Sequence, residues 1–232
     1  MKAVKLIVLL CLLKLSTEAQ ISFGINTGPN MGNIVTKIDG KKDKEIKSAV
    51  GYIISGDVNI PISKSLFFQT GLQFESIHNK VNTQNYNDFG GGFTVRKTFS
   101  GKSYFNYINI PAKIFYKLSV GQSSIMIGAG PFLGIGIGGQ SKSTDITETT
   151  IGGNTSRNEY NYKEKIKFGS ADTAVKRVNV GIGVNLAFLM TNNIKISAYS
   201  NMGLLNINNE DKHSTKTIAY GLTVGYVFGR KD

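Results

Sequence analysis

Strict alternation of apolar residues with small or neutral polar ones recurs along this chain and constrains its secondary structure more than any other feature. Val178, Val180, Ile182, Val184, Leu186, Phe188 and Met190 are all apolar, and Asn179, Gly181, Gly183, Asn185, Ala187 and Leu189 stand between them. Ile218, Tyr220, Leu222, Val224, Tyr226 and Phe228 alternate with Ala219, Gly221, Thr223, Gly225 and Val227. Ile125, Ile127, Ala129, Leu133, Ile135 and Ile137 repeat the pattern against Met126, Gly128, Gly130, Phe132, Gly134 and Gly136. Side chains of a strand point alternately to its two faces, whereas a helix repeats about every 3.6 residues. The pattern is therefore that of strands.

The same template fits residues 20–33, 48–60, 66–78, 103–118 and 193–206. With 124–138, 176–190 and 215–229 these predict eight strands. Each has about 10 residues or more, enough for a tilted strand to cross a bilayer. The first is the least regular, because Gly28, Pro29 and Asn30 interrupt it. The connections at 61–65, 119–123 and 191–192 are short and rich in turn formers. Those at 34–47, 79–102, 139–175 and 207–214 are longer and polar, and are predicted to be loops. Short turns on one side and long loops on the other describe an up-and-down antiparallel barrel of the outer-membrane kind. An even strand count puts both chain ends on the short-turn side.

Alternation alone does not say which face meets hydrocarbon, since a soluble barrel also alternates, with its apolar side inward. The other face decides. In a soluble barrel it would meet water and carry many charges; here it is mostly Gly, Ala, Ser, Asn and Thr. Charge within the strand interiors is confined to Asp57, Glu75, Lys113, Lys117 and Lys195, all in the non-apolar register. A charge facing lipid near the midplane costs roughly 2–4 kcal/mol, so its absence from the apolar register fits a membrane barrel. Closing the sheet pairs every backbone polar group, as a bilayer requires. Eight strands enclose just enough space for side chains to fill. Small residues leave room there for Phe105, Tyr107, Phe115 and Tyr199. Asp57, Lys117 and Lys195 lie near short turns, and Asp57 is expected to pair with Lys117 or Lys195, because a buried charge without a partner is costly. A wet barrel end that merely solvates them is the alternative.

The first residues read as a secretory signal. Lys2 and Lys5 give a charged start, residues 6–13 are apolar, and Thr17 and Ala19 are small residues ahead of Gln20. This predicts cleavage between Ala19 and Gln20, with a signal peptide at 1–19 and a single barrel domain at 20–232. The apolar run is too short to span a bilayer. Cys11, the one cysteine, lies inside the run and is preceded by Leu9 and Leu10, which disfavours lipid attachment. A mature chain without thiols excludes thiolate zinc sites and cysteine nucleophiles.

The formal net charge is +12, but export makes a nucleic-acid partner improbable. The long connections carry a net positive charge and would face lipopolysaccharide phosphates, to which Lys and Arg bind well. Phe67, Phe68, Tyr104, Tyr116, Phe188, Tyr226 and Phe228 sit towards strand ends, as interfacial aromatic belts do. Phe228 closes the last strand on an aromatic, a signal of the type read by barrel-insertion machinery.

Candidate chemistry is sparse. His78 and His213 are the only histidines, and without thiols or patterned carboxylates they read as surface polar residues, so no metal and no cofactor are expected. Ser76 and His78 share a face of one strand, the one feature compatible with a lipid-modifying enzyme. The Gly-rich stretch 134–139 lacks the Lys and the helix of a phosphate loop.

Three stretches together resemble a known group. They are YINIPAKIFYKL (107–118), GAGPFLGIGIGG (128–139) and the closing strand YGLTVGYVF (220–228); the opening FGINTGPN (23–30) is similar too. The chain resembles the outer-membrane β-barrel domain family that includes the PorT-like proteins. The resemblance implies a small barrel of a Gram-negative outer membrane, contributes no catalytic residues, and links the namesake to secretion and gliding machinery. The expectation is a monomeric, non-enzymatic structural or binding element of the cell envelope. A narrow pore or transport accessory and a lipid-modifying enzyme are the alternatives. The expected partners are outer-membrane lipid and lipopolysaccharide, insertion machinery during biogenesis, and an envelope protein.

Overall fold

The computed structural model describes residues 21–38, 41–42, 45–169, 175–209 and 213–229. The expected signal peptide, with its cut between Ala19 and Gln20, lies outside them. Ten strands are present among the described residues: β1 (Ser22–Ile38), β2 (Lys41–Lys42), β3 (Ile46–Pro61), β4 (Leu66–Asp88), β5 (Phe93–Val120), β6 (Ser123–Ile151), β7 (Asn154–Lys165), β8 (Val178–Leu189), β9 (Ile194–Gly203) and β10 (His213–Phe228). Eight of them form a closed antiparallel ring in the order β1, β3, β4, β5, β6, β8, β9, β10. The ring closes where Ile25 of β1 pairs with Gly56 of β3 on one side and Tyr226 of β10 on the other. Strands β2 and β7 stand outside it and pair only with β1 and β6.

The alternation sets the wall. Ile25, Leu72, Ile127, Leu186 and Leu222 are all at least half exposed on the outside, whereas Asn26, Gln73, Met126, Asn201 and Thr223 are buried inside. Backbone hydrogen bonding runs around the ring without an open edge, which makes such a wall compatible with hydrocarbon. Short hairpins close one end. Gly121 turns with φ 59°, and Asn193 is the single described non-glycine residue with positive φ, at 65°. Asn is among the few L-residues that tolerate this region. At 62–65 the Ser63 hydroxyl accepts from the backbone N–H of Leu66 at 3.1 Å.

At the other end the polar connections are not the loops expected from composition. Residues 79–88 continue β4, 93–102 continue β5 and 139–151 continue β6, while 154–165 form the additional strand β7. Together they make a four-stranded blade standing beyond the barrel, with register preserved from Lys80–Lys102 out to Asp88–Thr94. Outside the membrane both faces of a hairpin are wet, so the apolar alternation that marks the barrel strands is not required there. Thr, Tyr, Val and Phe still favour the extended backbone. The first strand is likewise continuous through Gly28, Pro29 and Asn30. Its ladder with β10 omits only residues 28 and 29, and Pro29 has no N–H to donate.

Candidate functional site

The barrel interior is stacked in layers whose chemistry changes along the axis. Nearest the short turns is an apolar ring of Phe115, Met126, Ala187, Leu189 and Val227, with Phe67 packed against it. The rings of Phe67 and Phe115 stack at 5.0 Å. A cavity of about 960 Å³ opens at this end, and its walls include Asp57, Gln73, Lys113, Lys117, Asn185 and Lys195.

Polar side chains on inward positions fill the next layer. Lys195 Nζ lies 3.1 Å from Asp57 Oδ2, and the Asn26 amide donates to the same oxygen at 2.6 Å. Lys113 donates to Asn185 Oδ1 at 2.6 Å. Lys117 stands at the cavity wall, two residues further towards the turn than Phe115. Above them Glu75 is 1% exposed. Its carboxylate accepts from Asn109 at 2.9 Å, from the Tyr199 hydroxyl at 3.1 Å and from Asn201 at 3.2 Å. Three strands thus converge on one carboxylate: β4 with Glu75 itself, β5 with Asn109, and β9 with Tyr199 and Asn201. Of the five charges picked out in the sequence, Asp57 and Lys195 meet directly, while Glu75 and Lys113 are each held by neutral groups. The asparagines that hold them, Asn26, Asn109, Asn185 and Asn201, carry no motif. Their one sequence signal is a polar residue in the inward register.

The far end is closed. Ile34, Ile77, Phe105, Tyr107, Ile207 and Ala219 form a buried apolar cluster, and Ile166, Phe168 and Val175 pack on it from the segment after β7. Phe168 meets Tyr107 edge-on at 5.8 Å. Gly136 faces the Phe168 ring so closely that a Cβ there would collide with it. Tyr107 is fully buried. The interior therefore opens towards the short turns and is plugged towards the blade.

A separate constellation faces outward on β4 near the top of the apolar band. Ser76 Oγ lies 2.9 Å from His78 Nε2 and donates to Asn106 Oδ1 of β5 at 2.7 Å. Ser76 is 2% exposed, and the His78 ring lies 5.6 Å from that of Tyr104. His78, the last residue of the predicted strand 66–78, lies well within β4. His213 opens β10, and its side chain lies outside what the structure describes.

A closed ring of eight antiparallel strands with an apolar exterior and a polar, filled interior defines a transmembrane β-barrel. Residues 16–209 match the family model described as "Outer membrane protein beta-barrel domain", and the chain belongs to that family. It is an outer-membrane protein, so the short turns and the open cavity face the periplasm and the blade faces outward. No curated protein matches it in sequence. Similar solved structures include Ail, the attachment invasion locus protein of Yersinia pestis, with 14% identity over 90% of this chain and 99% of that one and a TM-score of 0.42. Neisserial surface protein A is 12% identical over 88% and 96%, with a TM-score of 0.36. The outer membrane protease OmpT of Escherichia coli is 10% identical over 92% and 98%, with a TM-score of 0.30.

Proposed function

We propose that this protein is a non-conducting barrel serving as a structural and binding element of the cell envelope. The observation that carries this reading is the double obstruction of the interior. The Glu75 layer crosses the lumen, and beyond it the Tyr107–Phe168 cluster caps the outer end. A continuous water path would have to displace both. Planar-bilayer recording of the purified full chain tests the reading, with a porin as positive control. No discrete current steps are expected; a stable unitary conductance would instead establish the narrow-pore alternative. Stretches 107–118, 128–139 and 220–228 support a finer reading as a PorT-like protein attached to a secretion machine. A crosslinker placed at Lys64, in a periplasmic turn, would then capture an envelope protein.

The Ser76–His78 contact favours a second reading, hydrolysis of a lipid ester at the membrane edge. A nucleophile and a base within hydrogen-bond reach are the minimum for that chemistry. The hydroxyl proton points to Asn106 rather than to His78, so the reading requires rotation of Ser76 and its exposure to an acyl chain. Fluorophosphonate labelling of the chain in lipid, abolished by Ser76→Ala, supports it; an unlabelled wild-type chain removes it.

A further inference from the structure

Five lysines form a single row across β3 and the four blade strands. Lys47 of β3 pairs with Lys80 of β4, Lys80 with Lys102 of β5, Lys102 with Lys142 of β6, and Lys142 with Lys163 of β7. Directly paired residues of an antiparallel ladder point to the same face, with Cβ atoms about 4.5–5.5 Å apart. All five are exposed. The face is the outward one: it continues from His78 and Tyr104, whereas Ile77 and Phe105 point inward. At about 4.8 Å between neighbouring strands the row spans roughly 19 Å.

Such a row opposes sheet formation, because like charges placed directly opposite each other repel. On the β3 side Glu45 stands two residues from Lys47, but β4 to β7 offer no such counter-charge beside the row. No ion pair among the described residues involves any of the five. On β4 to β7 the flanking rows are His78, Tyr104, Gln140 and Lys165 below and Asn82, Ser100, Thr144 and Asn161 above, with no carboxylate in either. Nearer the blade tip the arrangement differs: Arg96 meets Glu148 at 3.6 Å and Arg157 meets Glu159 at 2.9 Å. On this face of β4 to β7 the charges far from the membrane are balanced within the sheet, and those close to it are all of one sign. A coat of charge for solubility alone would not be sorted in this way.

Height narrows the partner. Lys102 lies six residues beyond Ile108, the last apolar outward residue of β5. At about 3.3 Å per residue and a tilt of about 40° this is about 15 Å along the membrane normal. The row is thus level with charged sugars and phosphates above the hydrocarbon, and its flexible stems can reach down towards them. We infer that the row Lys47–Lys80–Lys102–Lys142–Lys163 is a binding site for a phosphorylated glycolipid of the outer leaflet. The site does not depend on whether the lumen conducts.

The test compares the full chain in detergent micelles with the triple variant K80Q/K102Q/K142Q and its charge-preserving counterpart K80R/K102R/K142R. The probe is rough-type lipopolysaccharide with its core phosphates, used intact and after enzymatic dephosphorylation. Heat-modifiable gel mobility confirms that each barrel is folded. The Gln variant is expected to bind the intact glycolipid on the order of 100-fold more weakly at low salt, since each near-surface lysine contributes a comparable increment. Dephosphorylation is expected to reproduce that loss, and the Arg variant to retain binding. Equal binding by wild type and the Gln variant, or indifference to dephosphorylation, overturns the assignment. Displacement of the glycolipid by equimolar inorganic pyrophosphate overturns it too, in favour of a site for free phosphates.

Discussion

Lys195 Nζ and Asp57 Oδ2 meet at 3.1 Å across the barrel interior, with side chains only 8% and 10% exposed. Their strands, β9 and β3, are not neighbours in the ring; β10 and β1 lie between them. The pair therefore reaches over two intervening strands, passing beside Gly24 of β1, and ties parts of the wall that share no ladder. Replacing Asp57 by Asn leaves Lys195 without its counter-charge. The adjacent cavity admits water and reduces the penalty below that of a dry pair, so a loss of about 2 kcal/mol is expected. In a thermal melt in detergent this is a drop of about 5 °C. Adding Lys195→Gln to the same chain is expected to recover part of it. An unchanged melting temperature for Asp57→Asn would show that water alone solvates both groups.

Glu75 is the acceptor for three donors, Asn109, Tyr199 and Asn201. Glu75→Ala removes the acceptor and leaves all three facing one another, at about 1–3 kcal/mol per unsatisfied group before relaxation. Glu75→Gln keeps one acceptor oxygen and is expected to be less damaging. Urea unfolding in lipid vesicles should rank stability as wild type, then Gln, then Ala. An Ala variant as stable as wild type would mean that the layer is not held by this carboxylate.

Gly136→Ala tests the outer closure. The added methyl group collides with the Phe168 ring, and Phe168 must leave its edge-on contact with Tyr107. The expected result is a folded barrel in which trypsin cuts faster at Lys167, Lys176 or Arg177. Cleavage at the wild-type rate would show that Phe168 is not what holds this segment down.

The leading segment makes a fourth prediction. Mass spectrometry of the chain recovered from outer membranes is expected to find Gln20 at its N-terminus. Ala19→Leu is expected to leave the leader attached, because the processing site takes only small residues there. An uncut wild-type chain would remove the signal-peptide reading.

The barrel strands were legible because hydrocarbon outside and a crowded lumen inside impose opposite demands on neighbouring residues, as in Val178 to Met190. The blade was not. Asn79 to Asp88 and Thr144 to Ile151 meet water on both faces, so nothing forces a period of two on them, and they read as loops. Interior charges were identifiable from register alone. Their partners were not, because Asn109 and Asn201 are neutral residues that could equally have served as spacers. The lysine row was invisible for a different reason: its members are 21 to 40 residues apart in sequence and coincide only through the register of four ladders.

One side of β7 remains unpaired, since β6 is its sole neighbour among the described residues. A bare strand margin displayed at a cell surface invites other chains to extend the sheet, the route by which fibres grow. The composition of β7 works against this. Arg157, Glu159, Lys163, Glu164 and Lys165 place charges of both signs along twelve exposed residues, and a newcomer would have to dehydrate them to dock. The bacterium can thus carry many copies of this projecting sheet side by side without their zipping into aggregates.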